Sequence, residues 1–256
     1  MIFQRLVTVV GREEVAEGIF ALSLESAEVA NSARPGQFIN VRFSETALPL
    51  LRRPFSISRV DGSSIELLFN VIGQGTRLLA SKRIGDRVDV LGPLGIPFGH
   101  QGGFDTAVIV AGGLGIAPFP FLTGLLKREK KRIATFVGAK TARQLVTRRL
   151  DDVQVATDDG SEGFRGTVVE LLERNLSSNP VMRPKMFGCG PTPMLKALSA
   201  FAQEAGIECE LSLEGDMACG VGLCQGCPVE RANGRRKYAL VCVEGPTFNC
   251  KEIVLR

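Results

Sequence analysis

Four of the seven cysteines, Cys219, Cys224, Cys227 and Cys242, fall within 24 residues near the carboxyl end of this 256-residue chain. Their order, Cys-x4-Cys-x2-Cys-x14-Cys, is that of thiolates gathered round a metal centre. The x4–x2 triplet suits a two-iron, two-sulfide cluster, [2Fe-2S]. A loop of this kind must turn three thiolates inward without side-chain collisions. Gly220, Gly222 and Gly226 supply that freedom, and their backbone N–H groups can point at the sulfurs. A four-thiolate zinc site is the other reading, but zinc more naturally takes two Cys-x2-Cys knuckles and only one pair here has that spacing.

Cys189, Cys209 and Cys250 stand apart from the cluster. An odd count, a chain long enough for a large core and no export signal argue against a disulfide-stapled secreted fold. Gln4 and Arg5 interrupt the apolar start of the chain, unlike a signal peptide, and no stretch approaches the ~20 apolar residues of a membrane helix. A soluble, cytoplasmic protein is expected. The formal charge is +4, and the one basic cluster, residues 127–132 broken by Glu129, suits a solvated helix end better than a nucleic-acid or lipid footprint. Small-molecule partners are therefore expected, with no nucleic acid and no membrane. With one histidine, His100, and one tyrosine, Tyr238, the chain has few groups for general acid–base work, which fits chemistry left to cofactors.

The hydrophobic pattern changes once along the chain. Residues 6–10, 19–24, 38–43, 55–58, 65–71 and 87–91 are short strand-like runs separated by turn residues such as Pro35-Gly36 and Asp61-Gly62, which predicts an antiparallel barrel or sandwich. Beyond residues 95–103, strand signals at 108–111, 133–137, 153–156 and 185–187 alternate with helical stretches at 118–127, 142–150, 168–175 and 193–205. That alternation predicts βαβ units on a parallel sheet. The tail after a strand at 208–213 is rich in Gly and Cys and too short for a core of its own, so something other than hydrophobic burial is expected to order it.

Three places suit anionic or flat ligands. Arg52-Arg53-Pro54-Phe55-Ser56 enters a strand, where an Arg can pair with a pyrophosphate, an aromatic can lie against a flat ring and a hydroxyl can reach a ring nitrogen. The same residues also suit an ordinary strand start with solvated arginines. Gly73-Gln74-Gly75-Thr76 precedes a helical run at 77–81, a second candidate for binding an anion in the same module. In the α/β half, residues 112–118 follow a buried strand and open a helix, with Gly113 and Gly115 in the loop and Pro118 where the third glycine of a Rossmann fingerprint would stand. A plain strand-to-helix turn is the alternative. Cys189-Gly190-Pro191 ends the last clear strand at the carboxyl edge of the sheet, where Cys189 either borders a nicotinamide or serves as a small buried hydrophobe. Cys209 and Cys250 are read as structural.

Pro35-Gly36-Gln37-Phe38, Arg53-Pro54-Phe55-Ser56, the loops at 73–76 and 112–118, and Cys189-Gly190-Pro191 together resemble the ferredoxin reductase superfamily in order and spacing. Its Arg-x-Tyr-Ser segment contacts FAD, which maps to Arg53, Phe55 and Ser56, with Pro54, the backbone at Leu68, Phe69 and Asn70, and Gly73, Gly75 and Thr76 completing the implied site. Phe55 stands where the family has Tyr. The doubled arginine, residues 157–161, the approach at 213–222 and the cysteine cluster resemble one branch, the electron-transfer subunits of dihydroorotate dehydrogenase B. The cluster spacing is also similar to plant-type ferredoxins, apart from a shorter final gap.

The resemblance implies an antiparallel FAD-binding β-barrel over residues 1–99, a Rossmann-like parallel-sheet NAD-binding α/β domain over 100–207 and a [2Fe-2S] region over 208–256. It also implies an FMN-containing dihydroorotate dehydrogenase catalytic subunit as partner, two of each chain, with electrons carried to NAD+ in pyrimidine biosynthesis. The related subunits of NADH-dependent ferredoxin:NADP+ oxidoreductase or sulfide dehydrogenase complexes, a stand-alone oxygenase reductase and a redox-sensing iron–sulfur module are the alternatives. NAD(H) is expected over NADP(H): Lys140 and Arg143 follow the second α/β strand, but the Ser-Arg pair of NADP+-dependent relatives is absent.

Overall fold

The computed structural model describes residues 1–43 and 49–256. The first half holds strands β1 (Phe3–Ala16), β2 (Ile19–Glu25), β3 (Phe38–Arg42), β4 (Arg53–Asp61), β5 (Ser64–Asn70) and β6 (Arg87–Leu94), with two short helices, α1 (Ala27–Ser32) and α2 (Gln74–Ala80). The strands close into a barrel in the order β1-β2-β5-β4-β3-β6, so the choice between barrel and sandwich falls to the barrel. Period-two alternation explains why. On β2, Phe20, Leu22 and Leu24 point into the barrel core with Ile65, Leu67 and Phe69 of β5. Ile19, Ala21 and Leu68 point outward, yet they too are buried, against the second half of the molecule. Each fully buried aliphatic here contributes about 1.5–3 kcal/mol, and together they fix the register.

The second half contains β7 (Thr106–Gly112), α3 (Phe119–Arg128), β8 (Arg132–Ala139), β9 (Val153–Thr157), β10 (Phe164–Arg165), α4 (Val168–Ser178), β11 (Pro184–Cys189), α5 (Thr192–Glu204) and β12 (Glu208–Ser212). All of β7 is buried, as expected of a strand covered on both faces. The tail adds β13 (Pro228–Arg231), β14 (Tyr238–Leu240), the one-turn α6 (Val241–Glu244), β15 (Thr247–Asn249) and β16 (Ile253–Val254). The large sheet runs β10-β9-β8-β7-β11-β12-β15, parallel except for β15. Chain order reverses between β7 and β11, the crevice where ligands of such sheets bind.

Two expectations need correction. The helix expected at 142–150 is a single 3-10 turn, Ala142–Gln144, followed by irregular chain. Ser161 Oγ accepts the Ala142 N–H at 2.8 Å, Arg149 has φ +61°, and Arg148 and Arg149 reach across to Glu13 and Glu66 of the barrel at 2.8 and 3.8 Å. Bridging the two halves in this way holds the segment out of a helical path. The tail, for its part, is ordered by burial after all. Ala239, Val241, Phe248 and Ile253 are buried in the same core as β11, β12 and α5. The tail needs no core of its own because β15 pairs with β12 and extends the neighbouring sheet. The expected division at 207/208 thus falls inside this sheet, with β12 and β15 beyond it. Among the described residues, no helix is long and apolar enough to cross a membrane.

Candidate functional site

A cleft of about 840 Å³ opens where the barrel, the carboxyl edge of the sheet and the tail meet. The barrel candidates Arg53, Pro54, Phe55, Ser56, Leu68, Phe69, Asn70, Gly73, Gly75 and Thr76 all line it. They come together because β4 and β5 are antiparallel neighbours and α2 starts just after β5. The doubled arginine divides its work. Arg52 is held by Asp89, whose carboxylate lies 2.6 Å away, and by the Asp89 carbonyl. Arg53 is exposed beside the cleft and, among the described residues, donates to the carbonyls of Leu51 and Arg52 through one nitrogen, which leaves most of its fork available to an anion.

Two candidates have local duties. Thr76 Oγ1 accepts the N–H groups of Ile72 and Gly73 at 3.0 and 3.1 Å, closing the first turn of α2, and that helix begins at Gln74, earlier than expected. Gly75 is there for space, since a Cβ would come within 2.5 Å of the Phe43 ring. Phe55 sits edge-on between Phe43 and Phe69, with centroids 6.0 and 5.7 Å away, and is only 8% exposed. Its ring belongs mainly to the barrel core and offers the cleft an edge.

Opposite the barrel stand Leu114 and Ala117 after β7, Cys189 at the end of β11, and the segment 212–218 after β12. Burial pushes the Cys189 thiol up, helped by the nearby Glu214 charge and opposed by the Ser212 hydroxyl. Cys189 is therefore a neutral, compact wall at neutral pH. Glu214 reaches the surface through the open cleft, yet the protein around it raises its carboxyl by desolvation. Sequence reasoning missed Glu214, Asp216, Met217 and Ala218 as lining residues. Their only sequence signal is position, between a strand end and the first cluster cysteine.

The loop at 112–118 lies at the switch point but is built for packing as much as for a ligand. Gly113 is exposed, with φ +55°. Gly115 is buried, and a Cβ there would come within 2.2 Å of the Cys189 carbonyl oxygen, so only glycine lets this loop touch the end of β11. Pro118 is buried and caps α3, a position proline tolerates well. Gly190 and Pro191 face a second cleft, of about 580 Å³, that adjoins the first at Glu214, Gly215 and Asp216.

The four clustered cysteines meet two by two. The Cys224 N–H donates to Cys219 Sγ and the Cys242 N–H to Cys227 Sγ, each at 3.4 Å. Among the described residues, no three Cys, His, Asp or Glu side chains converge on one point. Two pairs suit a two-iron group, one pair to each iron. Backbone N–H groups are already aimed at the sulfurs: those of Val221 and Cys224 at Cys219 Sγ (3.5 and 3.4 Å), Gly226 at Cys224 Sγ (3.4 Å) and Cys242 at Cys227 Sγ (3.4 Å). Burial raises the Cys219 thiol, but the N–H groups of Cys224, Val221 and Leu223 and the Cys224 side chain outweigh it and bring it down to about 6. Gly220 and Gly222, at φ +70° and +82°, make the turn that allows this. The donor set fits [2Fe-2S]: thiolate-favouring N–H bonds, four sulfurs and a glycine-rich turn. Cys209 and Cys250 are buried, and the Cys250 N–H donates to the Cys209 carbonyl across β12 and the end of β15.

Comparison with known proteins agrees with this anatomy. The family model described as the iron-sulfur cluster binding domain of dihydroorotate dehydrogenase B matches residues 214–254. The chain is 38% identical over 94% of both chains to the dihydroorotate dehydrogenase B (NAD(+)) electron transfer subunit of Desulforamulus reducens. It is 35% identical to the same subunit of Bacillus velezensis, over 97% of this chain and 98% of that one, and 37% identical to that of Geobacillus thermodenitrificans over all of both. Among solved structures, a chain of the NADH-dependent reduced ferredoxin-NADP oxidoreductase is similar with a TM-score of 0.85 and 28% identity, covering 98% of this chain and 90% of that chain. The ferredoxin reductase of carbazole 1,9a-dioxygenase, at 21% identity and a TM-score of 0.68 over 80% of this chain and 67% of that chain, shares the fold. A barrel, a parallel sheet and a cysteine-bearing tail around one cleft, with relatives of this identity along nearly the whole length, place the chain in the family of dihydroorotate dehydrogenase B electron-transfer subunits.

Proposed function

We propose that this chain carries electrons between a [2Fe-2S] cluster, FAD and NAD+, serving an FMN-containing catalytic subunit that oxidises dihydroorotate in pyrimidine biosynthesis. The supporting observation is that one cleft touches all three regions: Arg53 and Ser56 on the barrel, Cys189 at the sheet edge, and Ala218 and Gly226, each adjacent in sequence to a cluster cysteine. When bound, the flavin couples the two-electron hydride chemistry of a nicotinamide to the one-electron chemistry of the cluster. This chain's residues bind and separate the parts. Arg53 neutralises the FAD pyrophosphate, the Ser56 hydroxyl reaches the ring, and the backbone of Leu68, Phe69 and Asn70 with Gly73, Gly75 and Thr76 shapes the rest. Gly113, Gly115 and Pro118 present the loop that receives the dinucleotide pyrophosphate. Cys189, Gly190 and Pro191 wall the nicotinamide side, with Cys189 neutral and unable to compete as a nucleophile. Cys219, Cys224, Cys227 and Cys242 hold the cluster. Two copies of each chain in a cytoplasmic complex complete the proposal.

The experiment is reconstitution. The chain loaded with FAD and iron–sulfide, mixed with the FMN-containing catalytic subunit, is expected to support dihydroorotate-dependent formation of NADH, whereas either protein alone is not. A second reading follows from the solved structure with the TM-score of 0.85, that of an NADH-dependent reduced ferredoxin-NADP oxidoreductase. Co-purification with a large NADP-binding subunit, and no dihydroorotate-dependent NADH, would decide for that reading.

A further inference from the structure

We infer that Asn40 is a positioning residue for electron transfer, fixing the peptide between the flavin cleft and the cluster. This rests on the proposed cofactor set. Ile39 and Val41, its neighbours on β3, are fully buried in the barrel core, so alternation turns Asn40 to the outer wall, opposite Pro54 of β4 and Leu91 of β6. An outward amide is ordinarily solvated. Here it is 1% exposed, because the cluster loop lies on top of it. Its Nδ2 donates to the Cys219 carbonyl oxygen at 3.0 Å, across 179 residues of sequence. Its Oδ1 is buried with no hydrogen-bond partner among the described residues.

The contact is closely fitted. A Cβ on Gly220 would stand 2.0 Å from Asn40 Nδ2, and Gly220 has φ +70°, so the loop can approach the barrel only with glycine at this position. A half-satisfied buried amide is costly, and an apolar residue would avoid that cost. What the amide provides is a directional hold on one carbonyl. That carbonyl belongs to a cluster ligand, and the preceding residue, Ala218, lines the flavin cleft. Asn40 thus ties the covalent step from cleft to cluster to the rigid barrel that carries the flavin's other contacts. Tunnelling falls exponentially with separation, so a loop that is free to drift loses transfer rate before it loses its metal. Each transfer moves one electron between the irons and the flavin with no heavy-atom bond made or broken. Two transfers match one hydride exchanged with NAD+, the hydride's proton being exchanged with water. An N–H directed at the ligand's carbonyl also stabilises the more negative, reduced cluster.

The test uses the holoprotein under anaerobic conditions, with Asn40→Leu, which removes the amide, and Asn40→Asp, which keeps the shape and loses the N–H. On mixing with NADH, flavin bleaching is expected at the native rate. The following reduction of the cluster is expected to slow severalfold. The cluster's midpoint potential should fall and its EPR signature shift, with iron and FAD content unchanged. Gly220→Ala is expected to act in the same direction, and by a smaller factor when Asn40→Ala has already vacated the space its Cβ would enter. Native cluster-reduction rate and potential in both Asn40 variants overturn the inference. So does loss of iron from both with FAD retained, since Asn40 is then a structural fastener only. If the unmodified holoprotein shows no bleaching by NADH, the proposed function fails independently of Asn40.

Discussion

The barrel and the tail of this chain are both all-β in their regular strands, yet they reach order by different routes. Six strands in the barrel close on an interior drawn chiefly from their own residues, from Val7 to Val90. The short strands of the tail have no such interior. Its buried residues, Ala239, Val241, Phe248 and Ile253, fill a core that already belongs to β11, β12 and α5, and its four clustered cysteines lie outside its short strands. A segment of about forty residues cannot bury enough surface to fold alone, so it depends on a neighbour's core and on its ligands. The lesson concerns function as well. The barrel carries a core of its own, whereas the tail with the four clustered cysteines is held by contacts such as Asn40 with Cys219.

The largest expected effect comes from cutting the tail's own support. Replacing the exposed ligand, Cys224→Ser, is expected to remove the iron entirely and to open the hairpin around residues 232–237 to proteases, while the barrel keeps its FAD. Iron assay, visible absorbance and limited proteolysis read this directly. Loss of FAD in step with iron would break the comparison, by making the tail part of the flavin site rather than its neighbour.

Arg53→Ala probes the other side. With the pyrophosphate's charge partner gone, FAD affinity is expected to fall by about 1.5–3 kcal/mol, roughly ten- to a hundredfold, with iron content intact. Flavin retained through dilution at the native level would show that Arg53 faces solvent and that the cleft binds through its backbone.

The smallest effect concerns a third region, the loops after β8 and β9, where the adenosine end of the dinucleotide with its 2′-phosphate is expected. Arg143 leans toward Glu17 at 3.9 Å, and the loop carrying Asp158 and Asp159 bonds back to the backbone of Ala139 and Lys140, leaving Lys140 without a rigid cationic partner for a 2′-phosphate. NADH is expected to outperform NADPH in kcat/KM for dye reduction. A ratio favouring NADPH by more than about tenfold, roughly 1.4 kcal/mol of transition-state binding, reverses the assignment.

Much of this was legible in the residues. Strand positions in the first half followed from short runs and turn residues, and the helical stretches expected at 168–175 and 193–205 are helices at 168–178 and 192–204. Where reading failed, a long-range contact had overridden a local pattern. Residues 142–150 look helical, but Ser161, Glu13 and Glu66 draw them into another path. Arg52 and Arg53 look alike in sequence, and only Asp89, 37 residues away, separates their roles.

The order of cysteines and glycines, the strand periods and the change of pattern near residue 100 were determined by the sequence alone, because each depends on residues that are close together in the chain. The partnership of Asn40 with Cys219, the wall made by residues 212–218 and the sharing of one core by tail and sheet were decided only by the tertiary structure. These contacts join residues far apart in sequence, and a buried amide or a carboxylate in a cleft carries no local mark of what the fold will place against it.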